Sequence, residues 1–188
     1  MAHEWFDSGY AGESVEKIIA LADRFQVDSL MFPLEVAIEQ KMERVGGNHL
    51  TIEERTVLAI EGLEREVNNG GYSQFFTNSS GQYAPIIVDC LLRIQCPKTA
   101  ALTQKAIAAL GAKDSAEQSV HMAVEAYRER DRQRRNKWPS RPSPPSQEDR
   151  LIGEELDSYD QIFFQGLGEH LAGELFAYVR ANRDSIQL

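Results

Sequence analysis

Apolar residues in this chain recur at spacings of three and four almost from end to end, and no alternating run is long enough to argue for a sheet. That pattern predicts an all-α protein of about seven to nine helices, folded as a single helical domain over residues 1–188. At this length about 70% of the unfolded surface can be buried without a metal or disulfide staple. Val15, Ile18, Ile19, Ala22 and Phe25 follow Ser14 as a first amphipathic helix, and Pro33 is expected to open a second that ends at Gly46 and Gly47. Thr51 and Glu54 predict a capping box for a third helix, whose Val57, Ile60, Leu63 and Val67 face inward. Pro85 and Pro97 suit the first turns of two further helices, with Gly111 as a terminator; Ser115 and Gln118 then predict a second capping box. The helix they open runs to about Lys137. Residues 138–147, rich in Pro and Ser, read as an irregular loop before two closing helices through Leu156 and Leu175.

The densest local signal is Glu66-Val67-Asn68-Asn69-Gly70-Gly71-Tyr72-Ser73-Gln74-Phe75-Phe76-Thr77-Asn78-Ser79-Ser80-Gly81. Its Asn and Gly residues can take the positive torsions that stop a helix, and a left-handed cap is expected at Asn69 or Gly70. Tyr72, Phe75 and Phe76 then offer one apolar face to the core. Gln74 and Asn78 need partners wherever they are buried, since an unmet amide costs about 1 to 3 kcal/mol; neighbouring backbone is the expected partner.

This segment resembles the signature of an acidic all-helical family that includes a bacterial DNA-mimic protein and is otherwise largely a domain of unknown function. The matching positions are Glu66, Asn69, Gly70, Gly71, Tyr72, Gln74, Phe75, Phe76, Asn78 and Gly81; weaker similarity runs from Ala84 to Gly111 and from Leu156 to Asn182. The resemblance implies an acidic protein-interaction module that binds a DNA-binding protein.

Chemistry-bearing constellations are sparse. No His-Glu-x-x-His, Cys-x-x-Cys, Gly-x-Ser-x-Gly or phosphate-loop pattern occurs, so no catalytic residue, metal or cofactor is assigned. Glu117, His121 and Glu125 share a helix face, but solvated helices routinely place Glu and His four apart. Cys90 and Cys96 read as small core residues in a reducing compartment, and no stretch approaches a membrane span; the cytoplasm is the expected location.

Charge carries more information. Of the formal net charge of −9, residues 128–147 contribute 7 bases against 2 acids, so two acidic segments flank a basic strip running from Arg128 to Arg141. Cations at a helix C-terminus account for that strip, as does masking of an acidic face on the same or a neighbouring subunit of a homodimer; direct nucleic-acid binding is not expected. Glu35, Glu39 and Glu43 repeat every four residues, and Glu53, Glu61 and Glu64 follow on the next helix as a second acidic row. A basic or DNA-binding protein is the partner such a surface fits. Two alternatives stay open: an enzyme or ligand binder using a pocket near Glu66, Asn69, Tyr72, Gln74 and Asn78, and an inhibitor or immunity-type protein for a basic partner.

Overall fold

Helical spacing becomes helix throughout. The computed structural model describes residues 3–7, 10–135 and 144–188, and among these it forms eight α-helices: α1 (Val15–Ala20), α2 (Val27–Val45), α3 (Ile52–Thr77), α4 (Ala84–Arg93), α5 (Pro97–Ala109), α6 (Glu117–Arg135), α7 (Gln147–Phe164) and α8 (Leu171–Ala181). Short 3₁₀ turns join several of them, and the one β-type pairing among the described residues is an isolated Glu4–Phe25 bridge. The fold is all-α. No helix among the described residues is long and apolar enough to cross a membrane.

Two compact units divide the chain. The first comprises Met1–Glu61, Arg93–Gln95 and His170–Leu188; the second comprises Gly62–Leu92 and Cys96–Glu169. In the first, α2 packs against α8 and α1, burying Leu30, Leu34 and Ile38 with Leu175 and Val179. In the second, α5 packs against α7 and α6, and Leu102, Ala106, Val124, Ile152 and Leu156 are buried there.

Several helix ends follow the sequence directly. Val57, Ile60, Leu63 and Val67 are all fully buried. The Thr51–Glu54 box forms in both directions, with Thr51 Oγ1 accepting from Glu54 N at 3.2 Å and Glu54 Oε2 accepting from Thr51 N at 3.1 Å. Glu54 also receives Lys41 Nζ at 2.8 Å and the backbone N–H of Gln187 at 2.8 Å, so this buried carboxylate ties α2 and the C-terminal tail to the start of α3. Pro97 is the first residue of α5, and Gly46 and Gly111 leave their helices with φ of 86° and 93°.

Two expectations at helix starts are corrected. Pro33 does not open α2 but lies inside it, six residues past Val27. An interior proline costs about 3 kcal/mol, yet the first turns bury Leu30 and Met31 almost completely, each worth about 1.5 to 3 kcal/mol. Ser115 does not cap α6 either: Asp114 accepts from Ala116 N at 3.0 Å, and the Ser119 hydroxyl accepts from Lys113 N at 3.0 Å. A box that the sequence reading passed over forms at Ser146 and Asp149 instead, opening α7. Of the expected loop at 138–147, residues 138–143 lie outside the described residues, as do Lys137 and Arg141 of the basic strip; Pro144, Pro145 and Ser146 are non-helical.

A different device starts α5. Glu169 lays its carboxylate on the helix N-terminus, accepting from Lys98 N and Thr99 N at 2.8 Å each and from the Thr99 hydroxyl at 2.7 Å. Partial burial opposes ionisation of Glu169, but these donors and the Lys98 charge outweigh it and hold the pKa below the ordinary glutamate value. Because the folded value is depressed, the stabilisation is complete above the unfolded pKa of about 4.3 and is lost as pH falls through the folded value. Glu169→Gln is therefore expected to lower the melting temperature at pH 7, with the gap from the parent closing below about pH 4. A gap that is the same at pH 7 and pH 3.5 would contradict this account.

Candidate functional site

Glu66 is the centre of the Asn-Gly-Gly segment. It projects from α3 in the second unit, is 7% exposed, and accepts three hydrogen bonds from its own neighbourhood. Gln74 Nε2 and Asn78 Nδ2 both donate to Oε2 at 2.8 Å, and the Ser80 hydroxyl donates to Oε1 at 3.2 Å. The amides thus bond a carboxylate rather than backbone, which corrects the expectation drawn from the sequence. A buried anion needs strong donors, and two side-chain amides and a hydroxyl supply them.

The glycine pair bends α3 instead of stopping it. Gly71 takes the left-handed torsion (φ 74°), not Asn69 or Gly70; Gly70, at φ −162°, is extended, and Asn69 is exposed. Beyond the bend, helix resumes from Tyr72 to Thr77. Its first N–H, on Tyr72, donates to Asp160 Oδ1 of α7 at 2.8 Å. A Cβ on Gly71 would stand 2.6 Å from Asp160 Cγ, so only glycine admits this carboxylate. Burial raises the Asp160 pKa, the Tyr72 N–H partly offsets that, and Asp157 adds to the rise.

Tyr72, Phe75 and Phe76 are fully buried, as the spacing predicts. Tyr72 stacks on Phe76 with ring centroids 6.1 Å apart and meets Phe163 edge-on at 6.2 Å. Its hydroxyl pairs with Thr103 Oγ1 at 2.8 Å, and burial pushes its pKa well above the usual phenol value. Arg128 of α6 closes the far end. Its Nε donates to Phe76 O at 2.7 Å and its Nη2 to Asn78 O, placing a cation on the C-terminal carbonyls of α3. Gly81 leaves room for it: a Cβ there would lie 2.6 Å from Arg128 Nη2 and 2.7 Å from Phe76 O.

Every segment residue with a side-chain role is therefore committed to the fold. Two clefts in this unit, of about 190 Å³ and 480 Å³, are lined elsewhere, by residues such as Pro85, Ile107 and Lys113 and by Leu110, Met122 and Ala126. Neither cleft is lined by residues of the Asn-Gly-Gly segment.

The acidic rows are only partly a surface. Glu35 is 4% exposed, which removes it from the row; it follows Leu34 on the side of α2 that buries Ala37 and Ile38. Glu39 and Glu43 are exposed, while Glu53 and Glu61 are partly buried, all four in the first unit; Glu64, also partly buried, belongs to the second. Lys41, the base between Glu39 and Glu43, is drawn inward to Glu54. The first unit carries 14 acids against 8 bases, the second 15 against 12.

On α6 the basic strip is largely neutralised. Arg128 pairs with Glu125 at 2.8 Å, Arg130 with Asp149 at 3.2 Å, Arg132 with Glu129 at 2.6 Å and Arg135 with Asp131 at 2.7 Å. Sequence reasoning missed Asp160 and Thr103 altogether and assigned Arg128 to the strip, although it serves the end of α3.

Neither the curated proteins nor the solved structures provide a match. The family model described as DMP19-like protein matches residues 48–182, which span the bent α3, Arg128 and Asp160. Covering well over half of the chain, that match makes this protein a member of the DMP19-like family.

Proposed function

We propose that the chain is an acidic protein-interaction module, acting in the cytoplasm as a DNA mimic toward a basic, DNA-binding protein. Membership of the DMP19-like family is the observation that carries this reading. The net charge of −9 supports it, as does the exposure of Glu39 and Glu43 on α2 after their neighbour Lys41 is withdrawn to Glu54. Ion pairing of Arg128, Arg130, Arg132 and Arg135 supports the further view that nucleic acid is competed with, not bound. Four residues of helix advance about 6 Å against a phosphate about every 3.4 Å of duplex axis, so two glutamates steer a partner without copying a strand.

The test is affinity capture at low salt, followed by kinetics on the captured DNA-binding protein. Replacing Glu39 and Glu43 together by Gln is expected to slow association several-fold at low ionic strength and to leave the melting curve unchanged. That difference should shrink at physiological salt, where screening acts over about 8 Å. Competition with DNA for the partner is the required companion result. Unaltered association by the double variant, or a partner that binds this chain and DNA together, would overturn the reading.

A further inference from the structure

Gln95 stands where the backbone suits glycine. Its φ of 61° makes it the one residue other than glycine with a positive φ among the described residues. The Cys96 N–H returns to Leu91 O at 2.9 Å, the longer bond of a Schellman turn that ends α4 and places Gln95 at its left-handed position. A Cβ at this torsion is sterically strained. No internal bond offsets the strain, since the Gln95 amide makes no hydrogen bond with any described residue. Gln95 instead lines a cleft of about 310 Å³ in the first unit, between Arg93–Gln95 and the face of α8 that carries Glu174 and Tyr178.

Two opposite charges lie on this cleft without an ion pair among the described residues: the Arg93 guanidinium on one wall and the Glu174 carboxylate on the other. Both are exposed, as is Gln95, so a ligand reaches them from solvent. Ala177 and Ala181, small and exposed, line the α8 side beside the half-buried Tyr178.

We infer that this cleft binds a small zwitterion, a free α-amino acid with an apolar side chain, its carboxylate on Arg93 and the Gln95 amide and its ammonium on Glu174. Two properties select that class. A ligand carrying both signs satisfies both unpaired charges, whereas a simple anion or cation meets one and is repelled by the other. The guanidinium fork matches a carboxylate in two parallel bonds, and Ala177, Ala181 and Tyr178 give an apolar side chain a surface to cover. Strain in a residue that lines a cleft and bonds nothing internally is the arrangement expected where that residue serves a ligand. The inference goes beyond the interaction surface proposed above and uses none of its glutamates.

Its test is calorimetric titration of the full chain with L-leucine, N-acetyl-L-leucine and L-leucine amide at about pH 6.5, below the α-amino pKa. L-Leucine is expected to bind at least about fivefold more tightly than either derivative, because acetylation removes the charge that meets Glu174 and amidation the charge that meets Arg93. Arg93→Gln should erase the discrimination against the amide and keep that against the N-acetyl compound; Glu174→Gln should do the reverse. Gln95→Gly should relieve the torsion and raise the melting temperature by up to about 4 °C while weakening L-leucine binding. Absence of L-leucine binding at millimolar concentration, by calorimetry and by saturation-transfer NMR, overturns the proposal. Equal binding of the three compounds, or parent-like affinity in the Gln95→Gly variant, does the same. So does binding of N-acetyl-L-leucine as tight as that of L-leucine, which would make the cleft a site for a simple carboxylate.

Discussion

Gly71→Ala is expected to be among the most destabilising single-methyl changes in the chain, costing about 3 kcal/mol and lowering the melting temperature by about 6 to 12 °C. Two effects combine. A side chain at φ 74° is strained by about 1 to 2 kcal/mol, and the added carbon collides with the Asp160 carboxylate, forcing loss of its hydrogen bond from Tyr72 N. Gly70→Ala should cost less, because φ −162° is open to any residue and adds no torsional strain, although its Cβ would press on the Gln74 amide that Glu66 holds. Thermal unfolding of the two variants side by side decides the matter, and equal melting temperatures would refute the assigned roles.

Removal of Glu66 ranks second. Glu66→Ala leaves Gln74, Asn78 and Ser80 without their shared acceptor near a buried site, for an expected loss of about 3 kcal/mol. Glu66→Gln retains one oxygen but turns an N–H₂ group toward donors, and is expected to recover only part of that loss. In a double-mutant cycle, Glu66→Ala with Gln74→Ala should fall short of additivity by about 1 kcal/mol or more. Strict additivity in urea denaturation would show that the three donors do not act through Glu66.

What the sequence made legible was local. The Thr51–Glu54 box, the glycine terminators and the burial of Val57, Ile60, Leu63 and Val67 depend on contacts within a turn or on one helix's periodicity. Glu66, Gln74 and Asn78 could be singled out for the same reason, spanning only twelve residues. Their partners were misread because a bend at Gly71, rather than a stop, folds the chain so that both amides reach the carboxylate. Asp160 lies 88 residues from Tyr72, and no spacing rule spans that distance. Glu35 was misplaced for a related reason: α2 packs against both α1 and α8, so its buried arc is wider than a one-sided amphipathic helix presents.

Arg128 has a consequence for the order in which the chain assembles. It reaches the carbonyls of Phe76 and Asn78 across about fifty residues, while Asp160 reaches Tyr72 from still farther along the sequence. During synthesis the glycine bend emerges long before either clamp exists, and closing such long loops is entropically slow. The most recognisable segment of this protein thus cannot make its full set of bonds until the chain has been extended through Arg128 and on to Asp160.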